Sequence, residues 1–134
     1  MDLLRLRAAL AASWSAETSY QGVVQPGNPA YGQCYPTARV VQHFVPEAEV
    51  VEGEVWTGVD VEAHFWNVVD KSGTLVHVDL SWSQFPRGSA VRAYAVRDRA
   101  AFGDGPETVR RVETLLARVT ARLGPGAGPE LGII

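Results

Sequence analysis

A chain with a single cysteine cannot close an internal disulfide, and without a CxxC pair it lacks the short paired spacings that hold structural zinc. It has one lysine, Lys71, so lysine-based covalent chemistry has almost nowhere to reside. Basic and acidic residues number 12 and 15, for a net charge of -3. That balance is too mild to mark a nucleic-acid or polyanion binder. No window approaches the ~18 consecutive apolar residues that a membrane-spanning helix needs. The opening stretch MDLLRLRAALAASWS resembles a signal peptide in its small and apolar residues, but Arg5 and Arg7 interrupt the apolar run. An amphipathic helix and a cytoplasmic location are the expectation. The glycines of GDGPE and GPGAGP match no nucleotide-binding fingerprint.

What is present suits one soluble domain: 134 residues, 46% hydrophobic and 20% charged. Asp2 can cap a first helix carrying Leu3, Leu6, Leu10 and Trp14 at helical spacing. SAETSYQGVVQPGNPAYG, rich in Gly, Pro, Ser and Asn, reads as a long loop, and long loops in compact domains are often functional. A second helix is expected over Tyr35–Phe44, with Pro36 in its first turn and a stop before Pro46. Val-rich AEVVEGEVWTG follows, with Gly53 and Gly58 as punctuation. HFWNVV and TLVHVDL then flank DKSG as a hairpin, and AVRAYAVRD is a further strand. A last helix after Pro106 bears a stripe of Val109, Val112, Leu116, Val119 and Leu123 and ends at Gly124–Pro125. The pattern predicts one α+β domain over residues 1–123 with a small antiparallel sheet, and a loose tail over 124–134.

The lone cysteine stands where a helix begins. Free backbone N–H groups and the positive end of the helix dipole favour a thiolate there, and they can stabilise an oxyanion formed on attack at a carbonyl. Gln33 is an adjacent amide donor. A free cysteine is also a common core residue. The hairpin discriminates. A four-residue loop, Asp70–Gly73, sets His64 opposite Asp79 on one sheet face, where a carboxylate can orient a histidine base. A three-residue loop would put them on opposite faces. His77 shares a strand face with Asp79 and is the reserve base, while His43 is expected to face solvent. Asn67, three residues after His64, points to the other face and is a poorer orienting partner. Trp56, Trp66, Trp82 and Tyr31 are candidates for a substrate pocket wall. Cys, His and Asp are also zinc ligands, but the paired spacings are missing, so no metal and no cofactor are expected.

Four segments in order carry a resemblance: SWSAETS at 13–19, NPAYGQC at 28–34, HFWN at 64–67 and VDLSWSQF at 78–85. Together they are similar to the YunG-like family of small bacterial proteins, which in turn resembles the papain-like and transglutaminase-like superfamily of cysteine hydrolases. The resemblance implies a cysteine at a helix N-terminus packed on a sheet that carries His and Asp. It implies Cys34 as nucleophile, His64 as general base and acid, Asp79 as the orienting carboxylate, and Gln33 as an oxyanion contributor with Asn67 in support. This chain departs from the pattern at Tyr35–Pro36, where small apolar residues are usual, and in a longer His-to-Asp hairpin. The implied activity is thiol-dependent hydrolysis or acyl transfer on an amide- or ester-bearing substrate, with peptidase, amidase, deamidase and transglutaminase chemistry all open. A non-catalytic binding module on the same scaffold, using the long loop, is the alternative.

Overall fold

The computed structural model describes residues 1–125. Helix α1 spans Leu3–Ser13, and the Asp2 side chain caps it by accepting from the N–H groups of Leu4 and Arg5. Helix α2 spans Cys34–Phe44, so it begins one residue earlier than the sequence suggested and includes the cysteine. Four strands follow: β1 Glu49–Trp56, β2 Val61–Lys71, β3 Thr74–Val78 and β4 Ala90–Val96. They form one antiparallel sheet in the order β3-β2-β1-β4. Helix α3, Pro106–Leu123, closes the fold with Pro106 in its first turn. The tail expected over 124–134 lies, past Pro125, outside the described residues.

The three helices share one core: Leu6 and Leu10 of α1, Val40, Val41 and Phe44 of α2, and Leu115, Val119 and Leu123 of α3. Of the stripe expected on α3, Val119 and Leu123 are buried and Val112 and Leu116 pack against the core, and Leu115 joins them. Leu115 is fully buried, while Val109 is exposed. The helix meets α1 and α2 together, and the arc facing two neighbours is centred on Leu115 and Val119. Arg5 of α1 donates to the Leu123 carbonyl at 3.0 Å, tying the C-terminus of α3 to the start of the chain.

The β2–β3 hairpin differs from the expected one. Lys71 pairs with Thr74, leaving a two-residue turn of Ser72 and Gly73 with φ of 55° and 87°. Two positive φ angles define the turn whose twist matches the flanking strands. Asp70 steadies it by accepting from the Gly73 N–H at 2.8 Å. Gly53, expected as punctuation, lies inside β1 instead, paired with His64 and with Tyr94. A Cβ there would fall 2.5 Å from the Trp66 ring and 2.6 Å from the Ala93 carbonyl oxygen. The glycine is where an indole and a neighbouring strand close on the backbone.

The segment between α1 and α2 is a loop, as expected, but a packed one. The Tyr20 N–H donates to the Gly32 carbonyl at 2.7 Å. The Asn28 side-chain amide reaches the Gln84 carbonyl at 2.8 Å, so the loop is pinned to the chain that follows β3.

Candidate active site

Cys34 occupies the first residue of α2 and is half-buried. Its N–H and that of Tyr35 have no intrahelical acceptor, which leaves them free for a ligand at the helix end. Pairing between β2 and β3 ends at Asn67–Val78. From Val61 to Trp66 the β3-side edge of β2 is therefore unpaired, and the chain after β3 folds over it.

His64 sits on that stretch with its side chain fully buried. Phe85 packs edge-on against the imidazole at 4.7 Å, Trp66 stacks at 5.5 Å, and Trp82 stands 6.0 Å away. The Nε2–H donates to Asp79 Oδ2 at 2.7 Å. Asp79 is itself steadied by the Ser81 N–H, 3.2 Å from Oδ1. With Nε2 on Asp79, Nδ1 is the other ring nitrogen, and the Cys34 thiol interacts with the imidazole. Extending the observed register puts Asp79 opposite Trp66 rather than opposite His64. The two-residue offset keeps both on one face, and a diagonal contact replaces the direct one.

Burial acts most strongly on His64 and lowers its proton affinity. The hydrogen bonds to Asp79 and then Cys34, followed by their charges, outweigh it and raise the pKa from 6.5 to about 9. A raised pKa in the folded state means stability that is complete below pH 6.5 and lost as pH climbs through 9. The loss across that window is about 3 kcal/mol. Urea midpoints are expected to fall from pH 6.5 to 9 in the native protein and to stay nearly level over this range in His64→Gln. An undiminished slope in the variant would assign the proton to another group.

Cys34 opens on a cavity of about 470 Å³ whose wall includes Tyr31, Tyr35, Phe65, Glu62 and Gln84. Tyr31 is thus where a pocket residue was expected. Trp66 and Trp82 are instead behind the imidazole, with the Trp66 Nε1–H donating to His77 Nδ1 at 2.9 Å. His77 is accordingly engaged away from Cys34. Asn67 lies on the opposite face from His64 and donates to the Ala38 carbonyl of α2 at 3.0 Å, joining sheet to helix. Trp56 is exposed and apart from this cavity, and His43 faces solvent.

Gln33 is buried, and both ends of its amide are occupied. Its Oε1 accepts from Thr18 at 2.8 Å and its Nε2 donates to the Ser15 carbonyl at 2.9 Å. Gln84 was not singled out from the sequence, although it stands in the VDLSWSQF segment. Its Nε2 lies 3.5 Å from His64 Nδ1 and donates to the Ser81 carbonyl at 3.2 Å. Proximity to Cys34 was invisible in the sequence because 50 residues and a change of element separate the two.

Tyr35 adds a second tie at the helix start. Its hydroxyl donates to Asp104, which also pairs with Arg39 at 3.2 Å. Burial, the bond to Asp104 and its charge raise the phenol to about 12 against the lowering influence of Arg39 and Arg97. The first turn of α2 is so fastened to the loop before α3. Among the described residues, no group of three or more His, Cys, Asp or Glu is placed to hold a metal ion, and no helix is long and apolar enough to cross a membrane.

A family model described as YunG protein matches residues 2–124. No curated protein and no solved structure matches the chain.

Proposed function

This chain belongs to the YunG protein family, and we propose that it performs thiol-dependent acyl chemistry at Cys34, in the manner of a papain-like or transglutaminase-like site. The observation that carries this reading is His64, buried, bonded to the Asp79 carboxylate and interacting with the Cys34 thiol. A carboxylate on Nε2 fixes the tautomer that offers Nδ1 to sulfur.

In this mechanism His64 takes the thiol proton and Sγ attacks the carbonyl of an amide or ester. The free N–H groups at the start of α2 receive the developing oxyanion. The imidazolium returns the proton to the leaving amine or alcohol, and a thioester remains on Cys34. Water or an amine then resolves the thioester, with His64 acting as base again. Gln84 is the side-chain donor best suited to assist the oxyanion. It lines the cavity with Cys34, whereas the Gln33 side chain is buried outside that wall.

Treatment with p-nitrophenyl acetate tests the proposal: acetyl passes to Sγ and p-nitrophenolate leaves. Intact mass is expected to show one acetyl group on the native chain and none on Cys34→Ser. An adduct that survives Cys34→Ser, or neither an adduct nor Cys34-dependent release of p-nitrophenolate, counts against acyl chemistry and favours a binding module. Gln84→Ala is expected to slow acetylation by about 100-fold, a usual effect of removing one oxyanion donor. Its alkylation by iodoacetamide, which forms no oxyanion, should change less than about threefold. Equal losses in both reactions would make Gln84 a positioning residue instead.

A further inference from the structure

We infer that the cavity beside Cys34 accepts an organic cation, so that the substrate carries an ammonium or guanidinium group near the carbonyl to be attacked. The inference deepens the proposed acyl chemistry and rests on it for the identity of the reacting group.

The observation is Glu62. Its side chain is half-buried on β2, two residues before His64, and it lines the same cavity as Cys34. No cationic partner or hydrogen-bond donor meets its carboxylate among the described residues. A carboxylate that lines a cavity and has no counterion there is a suitable partner for a cation, which it can meet in charge-assisted hydrogen bonds. The rest of the wall suits such a ligand. Tyr20, Tyr31, Tyr35 and Phe65 line it with aromatic rings, the side chains on which cations pack, and Gln21 and Gln84 supply neutral amides. None of the residues around the cavity carries a positive charge.

Two arginines stand nearby, and both are engaged. Arg111 packs over the Tyr20 ring at 5.6 Å and approaches Glu107 at 3.8 Å. Arg97 packs against Tyr35 and Phe65 at 5.8 and 5.7 Å and approaches Glu52 at 3.8 Å. Neither reaches Glu62. Their stacking shows that rings of this wall already take cations on their faces.

The single cysteine allows a direct test with two methanethiosulfonate probes of similar size, one ending in trimethylammonium and one in sulfonate. Each forms a mixed disulfide with Sγ and releases methanesulfinate, so the chemistry is identical and only the charge differs. The ratio of cation rate to anion rate is measured on the native chain, on Glu62→Gln, and on the same chain unfolded in urea. The native ratio is expected to exceed the unfolded one by about tenfold, and Glu62→Gln should abolish most of that preference. Any influence of the His64 charge is common to native and variant and cancels between them. A native ratio equal to the unfolded one, or a preference that survives Glu62→Gln, overturns the inference. Failure of the acyl reading has a different signature: neither an acetyl adduct at Cys34 nor Cys34-dependent release of p-nitrophenolate, whatever the charge preference of the cavity.

Discussion

Replacing His64 with alanine is expected to slow alkylation of Cys34 by iodoacetamide at pH 6.5 by about 30- to 100-fold. An ordinary thiol is only about 1% ionised at that pH, and only the thiolate reacts. A proton-bearing imidazole favours a thiolate near it, and His64 holds its proton through neutral pH because its pKa is raised to about 9. The difference between native and variant should shrink above pH 8.5, where an unassisted thiol ionises too. Asp79→Asn, which keeps the shape but not the charge on Nε2, should give the same pH signature at about a tenth of native rate. The measurement is rate against pH by intact mass, clean because there is one cysteine to label. A native rate that ignores His64 would make Cys34 a structural residue and turn attention to what the packed loop between α1 and α2 binds.

Gly53→Ala is expected to cost about 3 kcal/mol of stability, at the upper end for overpacking a filled interior. The added methyl meets the Trp66 ring at 2.5 Å and the Ala93 carbonyl oxygen at 2.6 Å. One obstacle is a backbone atom of β4, so no side-chain rotation relieves it, and the β1–β4 pairing must shift. The change also reaches the site, since Trp66 stacks on His64 at 5.5 Å. Urea unfolding of the variant, with Gly58→Ala as a control at a glycine that meets nothing within 4 Å, measures the first effect. The control carries its own cost from the positive φ of 96°, about 1 kcal/mol. Equal losses at the two positions would remove the packing explanation.

The limits of the sequence show at particular residues. The hairpin turn was placed over Asp70–Gly73 because two polar residues needed a common face, yet the turn is Ser72–Gly73. A serine at positive φ is uncommon, so nothing local announced it. The His64–Asp79 contact survives because both registers have the same parity, and a shift of two residues leaves every side chain on its face. Leu115 was missed in the α3 stripe because periodicity gives an apolar arc but not the direction from which two other helices press on it. Gln33 drew notice by adjacency to Cys34, while Gln84, which lines the cavity, lay in another segment of chain.

The sequence by itself determined the order of helices and strands, the cysteine at a helix start, and His64 on the first strand of a hairpin. Asp79, expected on the second strand, lies one residue past the end of β3. Periodicity, caps and β-branched runs are local signals, and local signals survive without a fold. Only the tertiary structure decided which nitrogen of His64 meets Asp79, that the Gln33 amide bonds Thr18 and Ser15, and that Glu62, without a partner among the described residues, lines the cavity with Cys34. Those facts depend on how the unpaired edge of β2 is covered by the chain after β3 and by the first turn of α2. Such packing is set by distances between residues far apart in sequence, for which no single stretch of the chain carries a signature.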